Sequence, residues 1–200
     1  MTHRPTHTSP SPCDIETDHR RTAWAEKGIV GRGVLVDYHT WRLERAKTDP
    51  SHASFDAFAT TPIPLSDLRA CLAAQGTEVR FGDILIVRSG WMVARGTKSD
   101  AELAELQREP PHRFCGVEQS EEMLRWIWGN FSAVAGDQPS FECWPTREEW
   151  ALHEVLLAGW GCPIGELFDL ERLAEQCKKE GRWSFFVASE PCNVPGGVAR

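Results

Sequence analysis

Three observations predict an α/β domain from this sequence. Apolar, β-branched runs recur at residues 29–37, 84–89 and 183–189. Segments with helix-start chemistry, a Ser, Thr or Asp ahead of an amphipathic stretch, lie between them. The size fits as well, because 200 residues with 41% hydrophobic content suffice for one domain with a sizeable core. Strands alternating with helices are the pattern of an α/β layer architecture.

Each element follows from its residues. Residues 1–21 hold prolines and almost no apolar side chains, and read as a flexible lead-in; residues 22–200 carry the domain, with order expected from near Trp24. The run I-V-G-R-G-V-L-V-D at 29–37 is a buried strand interrupted by Gly31 and Gly33. Residues 38–61 lack clean periodicity and read as a long connection. Ser66 is placed to cap the helix L-R-A-C-L-A-A-Q, which Gly76 ends. Gly82-Asp83 opens the strand I-L-I-V-R-S, a continuous apolar run of the kind buried on both faces.

A short surface helix is expected at 99–107, stopped by Pro110-Pro111. Ser120 starts the helix E-E-M-L-R-W-I-W, and A-V-A at 133–135 is a short strand ending at Gly136-Asp137. Thr146 with Glu149 forms a capping box for a helix that carries His153, followed by a G-C-P-I-G turn. Asp169 caps D-L-E-R-L-A-E-Q-C-K-K, whose lysines and following Gly181 suit a helix C-terminus, and W-S-F-F-V-A-S is the last strand. The sequence contains no internal repeat.

Composition narrows the function classes. A net charge of -7 argues against non-specific nucleic-acid binding and against anionic membrane surfaces, both of which need clustered Lys and Arg. No apolar run is long enough to span a bilayer and the N-terminus lacks an apolar signal region, so a soluble, cytoplasmic protein is expected. The seven cysteines include no C-x-x-C pair, so they read as reduced core residues and not as a zinc ribbon or dithiol. Cys162 has no basic neighbour in sequence and is assigned to packing.

His153 and Glu166 are the main candidates for chemistry. His153 shares a helical face with Trp150 and Leu157, so it is either a satisfied core histidine or a site residue. Glu166 stands between Ile164-Gly165 and Leu167-Phe168; a carboxylate in such surroundings has to be paired, protonated or metal-bound. Together they offer two ligands for a divalent metal, which takes about three protein ligands and an open position. Asp137, at a strand end in G-D-Q-P-S-F-E, is either a site residue or the carboxylate of an Asx-turn, and Glu142 reads as solvated. G-R-G at 31–33 and P-G-G at 195–197 lack a phosphate-loop context, and no G-x-S-x-G signals a serine nucleophile.

Five segments in order resemble the cyclase family that includes metal-dependent kynurenine formamidases: W-A-E-K-G-I-V-G-R-G-V-L-V-D-Y, R-F-G-D-I-L-I-V-R-S-G-W, A-V-A-G-D-Q-P-S-F-E-C-W-P, L-H-E-V-L-L-A-G-W-G-C-P-I-G-E-L-F-D-L-E and F-F-V-A-S-E-P-C-N-V-P-G-G-V-A. The resemblance implies a swivelling β/β/α domain with a mixed, barrel-like sheet, assembled into homo-oligomers. It implies hydrolysis of a small aromatic amide such as N-formylkynurenine, a step of tryptophan catabolism, with zinc or manganese as cofactor. It also maps His153 and Glu166 onto the metal site, with His153 and Asp137 as the catalytic candidates.

The family's H-x-G-T-H-x-D motif is expected upstream of G-I-V-G-R-G, and this chain lacks it in that form. His3 and His7, in H-R-P-T-H-T-S, echo it with Pro5 and Ser9 at the glycine and aspartate positions. A domain incomplete at both ends is therefore expected, and two other readings stand beside the enzyme. One is a non-catalytic, truncated member that acts as a structural or regulatory partner of a full-length paralogue. The other is a binding module whose aromatic pocket is built from Trp91, Trp126, Trp128 and Trp160.

Overall fold

The computed structural model describes residues 27–106, 108 and 110–189. Residues 1–21, expected to form a lead-in, together with His3, His7 and the P-G-G at 195–197, lie outside the described residues. Contacts partition the chain into one unit of residues 31–186 and another of 1–30 with 187–200. In the second unit, Gly28 adopts φ +66, and a Cβ there would stand 3.3 Å from the Ser189 carbonyl oxygen.

A five-stranded sheet in the order β6-β5-β3-β1-β7 organises the fold, as the α/β expectation requires. Its strands are β1 (Ile29–Val36), β3 (Asp83–Val87), β5 (Phe131–Gly136), β6 (Ile164–Gly165) and β7 (Ser184–Ser189). The ladders β1–β3, β3–β5 and β5–β6 are parallel. Leu35, Ile86, Ala135 and Gly165 fall at one level across them. All of β3 is buried, because a central parallel strand is covered on both faces. A second, two-stranded sheet pairs β2 (Pro62–Ile63) with β4 (Gly116–Val117) in parallel. The segment 142–144 lies against it through bridges from Val117 to Glu142 and from Phe114 to Trp144.

Six α-helices appear among the described residues: α1 (Tyr38–Ala46), α2 (Leu65–Ala74), α3 (Trp91–Gly96), α4 (Asp100–Leu106), α5 (Glu121–Asn130) and α6 (Glu171–Glu180). The start of the expected long connection at 38–61 is in fact α1. Asp37 caps it by accepting from the Thr40 amide at 3.2 Å, and its buried side chains are Tyr38 and Arg42, one turn apart. Helix α2 forms where expected, but Ser66 lies inside it. The Leu65 amide donates instead to Glu118 Oε1 at 3.1 Å, so a distant carboxylate replaces the local cap. Ser120 caps α5 as expected, its hydroxyl accepting from the Met123 amide.

The core packs Val34, Val36, Leu85, Val87 and Val134 of the sheet against Leu65, Leu68, Leu72, Met123 and Ile127 of the helices. Fully burying one such side chain stabilises the fold by about 1.5–3 kcal/mol. Cys71, Cys115, Cys143, Cys162 and Cys177 are free and buried, in keeping with their reading as small core residues.

The capping box at Thr146 does not form. Residues 147–150 are bends, and the Arg147 amide is drawn to Gln119 Oε1 at 2.8 Å. The helical turn begins only at Leu152, runs as a π-helical turn over Glu154–Gly159, and is capped by Glu154 accepting from the Ala151 amide. The expected G-C-P-I-G turn contributes β6, the edge strand beside β5.

Candidate functional site

Parallel strands gather the residues that follow them along one edge of a sheet, and ligands of open α/β sheets bind outside that carboxyl edge. Here the edge collects Asp37 and His39 after β1, Arg88 and Ser89 after β3, Asp137 and Gln138 after β5, and Glu166 after β6.

The middle of the edge is braced by charge. Arg88 grips Glu171 with two nitrogens, Nε to Oε1 at 2.9 Å and Nη2 to Oε2 at 2.6 Å, and reaches Asp37 Oδ1 at 2.6 Å. These carboxylates raise its pKa despite burial, so the guanidinium stays charged. His39 packs against Gly90, whose φ is +93 and whose missing Cβ leaves room for the imidazole. Burial, and after it the Arg88 charge, lower the His39 pKa and keep that ring neutral.

Asp137 is wholly buried. Its Oδ1 accepts from the Ser89 amide at 2.6 Å and hydroxyl at 2.7 Å, and its Oδ2 from the Gly90 and Met92 amides at 3.0 and 3.3 Å. An Asx-turn, one of the two readings of Asp137, would have bonded the chain locally, whereas these partners lie 45 to 48 residues away. A carboxylate with four donors holds the β3–α3 loop in place, and the geometry makes Asp137 a brace of the edge.

The third feature is a line of three side chains, Glu142, His153 and Glu166. Imidazole Nδ1 stands 2.7 Å from Glu142 Oε2, and Nε2 stands 3.1 Å from Glu166 Oε1. The sequence candidates His153 and Glu166 therefore do meet. Glu142, expected to be solvated, is 1% exposed, and this corrects the sequence reading. Phe141 and Cys143 are buried too, and since side chains alternate across a strand-like segment, this one is covered on both faces. The close approach of this segment to β4 needs Gly116, where a Cβ would fall 2.5 Å from the Cys143 amide nitrogen. Glu142 Oε1 also accepts from the His153 amide at 3.2 Å, so one carboxylate holds both the backbone and the ring.

Glu166 is fixed from the other side, accepting from the Phe141 amide at 3.0 Å. The next residue, Leu167, has φ +58, a left-handed conformation that costs a non-glycine residue about 1–2 kcal/mol. It is held there by its amide bond to the Gln138 carbonyl and by the bond from Phe168 to Gly136. Such strain gathers at functional sites. Gln138 is itself fully buried, and its Oε1 lacks a donor.

Electrostatically, the line alternates in sign. Hydrogen bonds to Glu142 and then to Glu166 raise the His153 pKa to about 10 against the opposing effect of burial. An imidazole lone pair and a carboxylate oxygen repel at 3.1 Å, so a positive species belongs between Nε2 and Oε1. A proton on Nε2 meets that need, and so does a metal ion. Among the described residues, no group of three or more His, Cys, Asp or Glu side chains is arranged to hold a metal.

The four tryptophans considered for an aromatic pocket separate into three ring pairs: Trp91 with Phe58, Trp126 with Phe131, and Trp128 with Trp160. No helix of the described residues is long and apolar enough to cross a membrane.

Comparison with known proteins agrees with this architecture. A crystal structure described as that of a novel cyclase matches with a TM-score of 0.68 at 29% identity, covering 86% of this chain and 51% of its own. The chain thus spans about half the length of that solved cyclase. No curated protein matches. The cyclase family model, described as "Putative cyclase", matches residues 1–143, a stretch that includes Asp137 and Glu142 and stops short of His153 and Glu166. With a family model matching well over half of its length, and with the sheet shared with a solved cyclase, this chain belongs to the cyclase family.

Proposed function

We propose that this chain carries the hydrolase chemistry of its family on an aryl formamide of the N-formylkynurenine type, releasing formate and an aromatic amine, with a divalent zinc or manganese ion. The observation that carries the reading is the separation of His153 Nε2 and Glu166 Oε1, 3.1 Å. Two ligands of one ion at about 2.0–2.1 Å each stand roughly 2.9–3.4 Å apart at angles near 90–109°. The donor types fit as well, an imidazole nitrogen and a carboxylate oxygen being common ligands of zinc and manganese. When bound, such an ion lowers the pKa of water and polarises a carbonyl.

The chain's own residues perform the rest. His153 and Glu166 would hold the ion, and the Phe141 amide fixes the Glu166 carboxylate by donating to its Oε1. Asp137 fixes the Ser89–Met92 loop that borders the carboxyl edge, so the rim keeps its shape as substrate enters. The half-exposed Leu167 and Phe168, beside Glu166, offer apolar surface to an aryl group. Homo-oligomeric assembly, with ligands added from a neighbouring subunit, belongs to the same proposal.

Calorimetric titration with zinc and with manganese, using His153→Ala as control, tests the ion. Formate release from N-formylkynurenine tests the reaction. Stoichiometric uptake that His153→Ala abolishes, together with turnover, is expected. Uptake without turnover would move the substrate class, and the absence of both uptake and turnover would overturn the proposal. One observation favours a second reading: both ring nitrogens of His153 are already paired within the chain. A closed, non-catalytic core that partners a longer paralogue fits that pairing, and co-purification with such a paralogue without metal uptake is its signature.

A further inference from the structure

We infer that Glu142 is the positioning residue of this site, selecting which imidazole nitrogen of His153 faces Glu166. The inference rests on the proposed metal role of His153 only for its consequence, and on geometry for the contact itself. Glu142 Oε2 lies 2.7 Å from Nδ1, within the range of a short, charge-assisted hydrogen bond. In either protonation state of the ring, a carboxylate at that distance requires the proton on Nδ1, because two acceptors would repel. Nε2 is thereby left to face Glu166.

Three further observations make this carboxylate a fixed device and not an incidental neighbour. Its other oxygen accepts from the His153 amide at 3.2 Å, so ring and backbone are referenced to one group. Glu142 is 1% exposed, and water does not compete for either oxygen. Its backbone is clamped to β4: Val117 donates to the Phe141 carbonyl at 2.8 Å and Cys143 to the Val117 carbonyl at 3.1 Å. The clamp depends on Gly116, since any Cβ there meets the Glu142–Cys143 peptide. A carboxylate that orients a ligating histidine through its far nitrogen changes metal affinity or activity by about 10–100-fold when removed.

The experiment compares wild type, Glu142→Gln and Glu142→Ala by two measurements. The first is proton NMR of the metal-free protein, where a strongly bonded Nδ1–H gives a protected downfield resonance. The second is calorimetric zinc affinity. Wild type is expected to show the downfield proton, Glu142→Gln to weaken it, and Glu142→Ala to lose it. Zinc affinity should fall in the same order, by about 10–100-fold for Glu142→Ala. A wild-type spectrum without that proton overturns the inference, as does wild-type zinc affinity in Glu142→Ala. If wild type takes up no zinc, the metal reading fails by itself. The positioning role is then decided by whether Glu142→Ala, still folded by circular dichroism, releases the ring proton.

Discussion

Replacing Asp137 separates a brace from a catalytic group. In Asp137→Ala the Ser89 and Gly90 amides, both on buried residues, lose their acceptor, as does the Ser89 hydroxyl. Each buried donor left unpaired costs about 1–3 kcal/mol, so the two amides alone give about 2–6 kcal/mol. The Met92 amide belongs to a half-buried residue and can turn to water, which adds little. With a urea slope of about 2 kcal/mol per M, the unfolding midpoint should drop by about 1–3 M. Asp137→Asn keeps one oxygen but presents an NH2 group to donors at the other, and loses the charge assistance. Its expected loss is about 1–3 kcal/mol. Urea denaturation followed by tryptophan fluorescence reads both values. A wild-type midpoint for Asp137→Asn, combined with abolished turnover, would refute the brace and return Asp137 to catalysis.

Three other outcomes follow from the same contacts. Gly116→Ala should destabilise the fold by about 1–3 kcal/mol, since the new methyl meets backbone that cannot swing aside; equilibrium unfolding checks this. Arg88→Met should cost about 3–5 kcal/mol because it strands Asp37, which is 3% exposed, and adding Asp37→Asn should recover part of that loss in a double-mutant cycle. For His153 the folded pKa is raised to about 10 from 6.5, so its stabilising contribution is complete below the unfolded value and is lost as pH rises through the folded one. In chelator-treated protein the midpoint gap between wild type and His153→Gln should therefore shrink between about pH 6.5 and 10, and a gap that widens with pH would contradict the ion-paired line.

Strands were legible where burial on both faces demanded unbroken apolar runs, as in β3 and β5. Helix α1 was hidden because its buried face uses Arg42, whose stem packs while its head bonds the His52 carbonyl and sits 4.6 Å from the Phe55 ring centroid. A hydrophobic count treats that arginine as surface. Helix α3 was missed for a different reason. It spans six residues, and its entry is held by Asp137 from the end of β5, a cap that no local pattern displays. The false capping box at Thr146 is the converse case, a correct local motif overruled when Gln119 captured the Arg147 amide.

The site divides along the same line. His153 and Glu166 could be paired from sequence because only twelve residues, containing a chain reversal, lie between them, and the contact then needs only the parallel seating of β6 beside β5. Glu142 required a longer chain of causes. Its burial follows from cover on both faces of the 141–143 segment, its height from the bridge to Val117, and its closeness to the sheet from the absent side chain of Gly116. In the sequence, F-E-C reads as an apolar-polar alternation that leaves the carboxylate in solvent, so the burial of Glu142 was not legible locally. Yet Glu142 is the more deeply buried of the two, 1% exposed at its side chain against 30% for Glu166. The two carboxylates bracket one ring, Glu142 at Nδ1 and Glu166 at Nε2, and only the half of that arrangement joined by a short chain reversal could be read before folding.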